Sequence, residues 1–166
     1  MRDKCPPNHS GAKASHRVKY GVLNPTACER GVKRASHYGS SYLLLKDHVR
    51  TRVTFTSRDS GGGRCKLGTC EHFAHVLAEF SDPDLRAVLS RVGSGSGSTA
   101  AFPQEHYTET QFKEMQVHGD IVLARDIQAI VLVGMQDNAA DERLAVKFGR
   151  KFGVAVVLPS HFNPIS

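Results

Sequence analysis

Glu114, Gln116 and His118, spaced two apart, are the side chains of this sequence best arranged for chemistry. If residues 113–118 form a strand, the two-residue side-chain period puts all three on one face and sends Met115 and Val117 into the core. One acid, one amide and one imidazole then line a single surface. A carboxylate held there can hydrogen-bond a ribose hydroxyl and stabilise an oxocarbenium-like centre, the task carboxylates perform in glycosyl transfer. The plainer alternative is the solvated polar side of an edge strand. Glu109, in the neighbouring Glu109-Thr110-Gln111, is a reserve acid. A second constellation, Cys65, Cys70, His72 and His75, holds zinc-type donors, but its spacing matches no common finger pattern and no metal is expected. The alternative there is a glycine-rich loop with two cysteines, followed by a helix bearing two polar histidines. The sequence has no G-x-x-x-x-G-K-[ST], H-E-x-x-H, G-x-S-x-G or H-x-E with P-C-x-x-C, which argues against P-loop hydrolases, zincins, α/β-hydrolases and zinc deaminases.

The elements that must position these residues follow from periodicity and turn chemistry. Structure is expected from His16, after a loose polar arm over residues 1–15. Residues 17–23 suit a strand, and Asn24-Pro25 then starts a short helix through Cys28. A Ser/His/Gly-rich turn over 36–40 leads to the apolar run 41–45, read as a buried strand. Residues 52–56 alternate as a third strand and empty into the glycine-rich loop 57–63. Between Thr69 and Arg91 two helices fit. The first runs through Phe73, Val76, Leu77 and Phe80; the second opens at Asp82-Pro83 and turns Leu85, Val88 and Leu89 to the core. Residues 93–98 alternate Gly and Ser perfectly, the composition of an engineered linker standing in for a longer native loop. Residues 113–118 and 121–123 flank Gly119-Asp120 as a hairpin, and 127–133 form a strongly apolar central strand. A helix over 141–152 and a final buried strand over 154–158 complete the chain. With no regular βαβ repeat and no Rossmann glycine fingerprint, the pattern favours an α+β fold.

Composition bounds the partners. The 166 residues suffice for one domain, expected to span residues 16–166, and 40% hydrophobic with 23% charged residues excludes a wholly disordered chain, a collagen and a coiled coil. No apolar run approaches the ~20 residues of a membrane span, and the polar, basic N-terminus carries no secretory h-region. The net charge is +6, with Lys13, Arg17, Lys19, Arg30, Lys33 and Arg34 set against Glu29 alone over residues 13–34. Such a face attracts nucleic acid, an anionic cofactor or an acidic protein, or serves solubility alone. Cys5, Cys28, Cys65 and Cys70 are too few and too unevenly spaced for a disulfide scaffold, so reduced thiols are expected.

Four ordered blocks carry a family resemblance: residues 18–24 (VKYGVLN), 37–46 (HYGSSYLLLK), 53–60 (VTFTSRDS) and 114–132 (EMQVHGDIVLARDIQAIVL). Over residues 16–133 the chain resembles the CteC-type bacterial mono-ADP-ribosyltransferase effectors. The resemblance implies a divergent ADP-ribosyltransferase fold, with mixed, largely antiparallel sheets and flanking helices around an NAD cleft. It implies NAD as co-substrate, cleaved at its nicotinamide bond, and a threonine hydroxyl of host ubiquitin as acceptor, so that ubiquitination is blocked. It further implies a monomeric toxin, delivered into the host cytoplasm, whose partner is ubiquitin and neither nucleic acid nor membrane. Carried over residue by residue, Glu114 is the catalytic glutamate. Arg17 or Lys19 on the first strand binds NAD phosphate or ribose, with Tyr20 and Asn24 nearby. Thr54, Thr56 and Ser57 shape the nicotinamide pocket, and Tyr38, Gly39 and Ser40 approach the ring or its ribose. The family sets its glutamate directly before a Val-Leu pair; Gln116 stands at that place here, among the cofactor-binding positions.

Two competing readings share these residues. An NAD glycohydrolase uses the same site with water as the nucleophile. A nucleic-acid-binding module, zinc-stabilised at Cys65, Cys70, His72 and His75, draws on the positive charge, but 7% aromatic residues and no Trp leave little surface for stacking bases.

Overall fold

A computed structural model describes residues 13, 16–26, 28–93, 112–133 and 139–158. Glu109, the Gly-Ser alternation beyond Gly93 and, Lys13 apart, the N-terminal arm lie outside the described residues. The chain is mixed α+β. Its described strands are β1 (Lys19–Val22), β2 (Tyr42–Leu45), β3 (Val53–Thr56), β4 (Leu67–Thr69), β5 (Glu114–Val117), β6 (Ile127–Val131) and β7 (Ala155–Val157). The described α-helices are α1 (Ala74–Leu77), α2 (Asp82–Gly93), α3 (Leu123–Asp126) and α4 (Ala139–Phe152). These elements fall into two compact units, one drawn from Met1–Thr26 and Thr51–Gly119, the other from Ala27–Arg50 and Asp120–Ser166.

The first unit carries an antiparallel sheet in the order β1-β5-β3-β4. Val53 and Val117 pair across β3 and β5 and are buried together with Val76 of α1. Gly68 permits the close approach of β4 to this layer, because a Cβ there would meet the Phe55 ring and Val76 Cγ2 at 3.0 Å. In α2, the Ser81 hydroxyl accepts the Asp84 N–H at 3.3 Å, and the helix buries Ala87 and Val88.

The second unit carries a three-stranded sheet in the order β2-β6-β7, with β2 antiparallel and β7 parallel to β6. Along β6, Ile127, Ala129 and Val131 are buried at the strand period of two. Helix α4 comes so close to the chain leading into β7 that a Cβ on Gly149 would lie 2.6 Å from the Val154 carbonyl oxygen.

Several expectations from the pattern are corrected. No helix runs from Asn24 to Cys28 among the described residues; the chain turns at Pro25, and a bond from Gly31 N–H to Cys28 O with Gly31 at φ +74° reverses it again within one short stretch. The Ser/His/Gly-rich segment is a 3-10 helix, Lys33–Tyr38. The 41–45 run is a strand but not a buried one, since Leu43 and Leu44, on opposite faces, stay exposed. Leu89 of α2 faces solvent instead of the core. The first of the two expected helices is the single turn α1, and β4, too short to read as a pattern, precedes it. Residues 121–123 do not return as a hairpin. The Asp126 carboxylate accepts the Val122 N–H at 2.7 Å and draws this stretch into α3. The last strand is partly exposed at Val157, and its parallel pairing makes β6-α4-β7 one βαβ unit that strand alternation alone did not announce.

Candidate functional site

Strand β5 lies between β1 and β3, so Glu114 and Gln116 rise from the interior of the sheet and not from an edge strand. Opposed residues across an antiparallel pair point to the same face. Tyr20, Gln116, Thr54 and Thr69 therefore form one row across four strands, with Val22 and Glu114 in a neighbouring row on that face. The other face carries Val53, Val117, Phe55 and Met115. This is the polar and apolar division that the 113–118 alternation predicts.

The loop after β3 brings a further group to this face. Thr56 donates to the Arg58 carbonyl at 2.6 Å and Ser57 pairs with Lys66, its N–H donating to Lys66 O at 3.0 Å and its hydroxyl accepting Lys66 N–H at 3.2 Å. Beyond them, Asp59 caps the 3-10 turn Ser60–Gly62 by accepting the Gly61 N–H at 2.8 Å. The turn presents Ser60 to Glu114. The Ser60 hydroxyl donates to Glu114 Oε1 at 2.6 Å, and the Ser60 N–H points to Oε2 at 3.4 Å. On its own strand, Gln116 Nε2 donates to Oε1 at 2.7 Å.

The chain of bonds continues. Thr54 gives its hydroxyl proton to Gln116 Oε1 at 3.1 Å, and its oxygen lies 2.9 Å from His118 Nε2. A hydroxyl has one proton, so the second contact is satisfied when His118 Nε2 carries its own. Every donor then points toward Glu114: His118 to Thr54, Thr54 to Gln116, Gln116 to the carboxylate. The His118 backbone is pinned as well, its N–H donating to Arg52 O at 3.0 Å and its carbonyl accepting Arg52 Nη1 at 2.8 Å.

Glu114 is 8% exposed, and its hydrogen-bond donors among the described residues are all neutral. Among the described residues no cation is bonded to this carboxyl, so a cationic group that binds beside it would meet no competing counter-charge there. Among the described residues Oε1 accepts two short bonds, while Oε2 has the 3.4 Å contact alone and retains acceptor capacity.

The other expected site residues are spread along the chain. Tyr20 is exposed in the Gln116 row, and Thr54 is the expected hydroxyl that joins the Glu114 network. Thr56 and Ser57 are buried, their hydroxyls engaged with backbone. Lys19 donates to the Gly119 carbonyl at 2.9 Å from the strand position opposite Val117, and Arg17 is exposed just before β1. Asn24 follows β1 and is half-buried. Tyr38, Gly39 and Ser40 belong to the second unit, where the exposed Tyr38 ring tilts against His37 and the Ser40 hydroxyl donates to Val133 O at 2.9 Å. Among the described residues no group of three or more His, Cys, Asp or Glu is gathered to hold a metal ion, and His75 of the Cys65-to-His75 stretch meets the Leu67 carbonyl at 2.6 Å. Ser60 and its capping Asp59 were not legible as site residues. The only signal was that Ser60 closes the third resemblance block, at the mouth of a glycine run.

Residues 7–86 match a family described as a protein of unknown function, DUF3626. The matched stretch takes in β1 to β4 and the Asp59-Ser60 turn and stops short of Glu114. No curated protein matches the chain.

Proposed function

We propose that this chain is a mono-ADP-ribosyltransferase that takes NAD as donor substrate and modifies a threonine hydroxyl of host ubiquitin, as an effector acting in the host cytoplasm. The observation that carries the reading is Glu114: a buried carboxylate, in the middle of a sheet, with only neutral donors around it among the described residues. The nicotinamide-ribose end of NAD is cationic and grows an oxocarbenium-like ribose as its glycosidic bond weakens, and an uncompensated carboxylate favours that charge. The resemblance over residues 16–133 supplies the substrate class and the acceptor.

In this mechanism Ser60 and Gln116 fix the carboxylate, and Glu114 Oε2 meets a ribose hydroxyl or the developing cation. Arg17, exposed just before the first strand, brings positive charge suited to the two phosphates, whereas Lys19 sits in the Val117 row on the opposite face of the sheet, bonded to Gly119 O, and is not assigned to them. Tyr20 offers an exposed ring in the Gln116 row for stacking. A threonine hydroxyl is a weak nucleophile, and Glu114, once the ribose is held, is the base able to take its proton.

The test is incubation with NAD and ubiquitin, read as the intact mass of ubiquitin, for the wild type and Glu114→Ala. An increment of one ADP-ribose with the wild type alone supports the reading. Consumption of NAD with ubiquitin unmodified redirects the chemistry to hydrolysis, or to another acceptor. NAD left intact in the presence of a broad panel of proteins removes the transferase reading.

A further inference from the structure

A nucleophile held ready for attack is recognised by a base within hydrogen-bond reach, itself oriented by a third group. The site contains that arrangement within one chain. Ser60 Oγ donates to Glu114 Oε1 at 2.6 Å; Glu114 is oriented by Gln116 at 2.7 Å; Gln116 is oriented by Thr54, which is in contact with His118. The hydroxyl proton already points at the group that would remove it. Asp59 fixes the turn that carries Ser60, and Gly61 and Gly62 follow it with no side chains to crowd the approach. A Cβ on Gly62 would meet nothing within 4 Å, so the turn is open at that position, two residues beyond the serine.

We propose that Ser60 is an acceptor for ADP-ribose in its own site, and that its modification shuts the enzyme off. The proposal rests on the NAD reading of Glu114 and adds its regulation. In the step, the bond from ribose C1′ to the nicotinamide ring nitrogen breaks, and its electron pair leaves with nicotinamide, which passes from a cation to a neutral molecule. A bond forms from C1′ to Ser60 Oγ, and the hydroxyl proton passes to Glu114 and on to water. The modified serine no longer donates to Oε1, and the attached ADP-ribose fills the space a second NAD requires. Transfer to an external hydroxyl then competes with self-modification, and an enzyme without its acceptor silences itself.

The experiment uses the full chain with NAD and no other protein. Nicotinamide release is followed over time, the intact mass of the enzyme is measured in parallel, and the modified residue is mapped by fragmentation that keeps the sugar linkage. The expected result is one ADP-ribose per chain on Ser60, with release slowing about tenfold as the modified fraction approaches completion. Ser60→Thr is expected to carry the same mark on the substituted hydroxyl, which separates acceptor chemistry from mere support of Glu114. Release of nicotinamide with no mark on Ser60, or with the mark on another residue, overturns this proposal and leaves the NAD reading standing. Absence of any release from the wild type, with or without ubiquitin, overturns both.

Discussion

Two of the buried carboxylates among the described residues, Asp126 and Glu114, are held in opposite ways. Asp126, in the second unit, is fully buried and receives Arg125 at both oxygens, Nε at 2.8 Å and Nη2 at 2.7 Å. His48 Nε2 reaches it at 3.0 Å and the Val122 N–H at 2.7 Å. Arg125 in turn is held further in its charged form, chiefly by its hydrogen bond to Asp126. The charge of Asp126 is thus matched by a guanidinium and its lone pairs are filled. Glu114 receives a hydroxyl and two N–H groups, none of them charged. A carboxylate that is neutralised where it stands is a fastening. One that is oriented but not neutralised is available to a cationic ligand, and the role proposed for Glu114 rests on that difference.

The contrast can be broken experimentally, starting with the largest effect. Glu114→Gln keeps the shape and loses the charge, so NAD cleavage should fall about 100- to 1,000-fold. Its urea unfolding midpoint should barely move, and a collapse of stability would place Glu114 with the fastenings. Asp126→Ala should do the reverse, costing on the order of 3 kcal/mol because a backbone N–H and a guanidinium lose their buried acceptor together. Urea denaturation with an unchanged slope measures that loss, and a fall of less than about 1 kcal/mol would dissolve the comparison. Gln116→Met removes one neutral donor from Glu114 and should slow NAD cleavage about tenfold, the scale of a single hydrogen bond. The smallest effect is a surface control. Lys66 bonds to Glu79 at 2.6 Å and holds that carboxyl below its ordinary range. Its contribution is present above the carboxyl's unfolded pKa and fades as pH falls through the lowered folded value. Stability of Glu79→Gln should therefore converge with the wild type on the acid side, and differ little from it at neutral pH because the pair is solvent-exposed.

The Glu114 side of this contrast was readable in residue order, and the Asp126 side was not. The 113–118 alternation announced a polar face bearing Glu114, Gln116 and His118, and the apolar periodicities announced β3, β6, α2 and α4. What escaped was set by long-range partners. Gly119-Asp120 has the composition of a hairpin turn, yet the carboxylate of Asp126 captures Val122 and winds α3 instead. Leu43 and Leu44 read as core because they are apolar, whereas burial depends on what is packed against each face of β2. β4 has three residues and one of them is Gly68, too little for a period. Ser60 looked like the start of a glycine loop. Its bond to a residue 54 positions away is a property of the sheet, which no local window contains.

The position of β5 in its sheet has a consequence for how the chain is made. β5 is the inner partner of β1, and the bond from Lys19 to Gly119 spans 100 residues. During synthesis β1, β3 and β4 leave the ribosome while the strand between β1 and β3 is still missing, so this sheet cannot close until β5 has emerged. Contacts of such high separation slow folding and leave strand edges open to wrong partners in the interval. The carboxylate of Glu114 acquires its donors in the turn after β3 and on β5 only when β5 slots into this sheet, so whatever activity the site has waits for that strand.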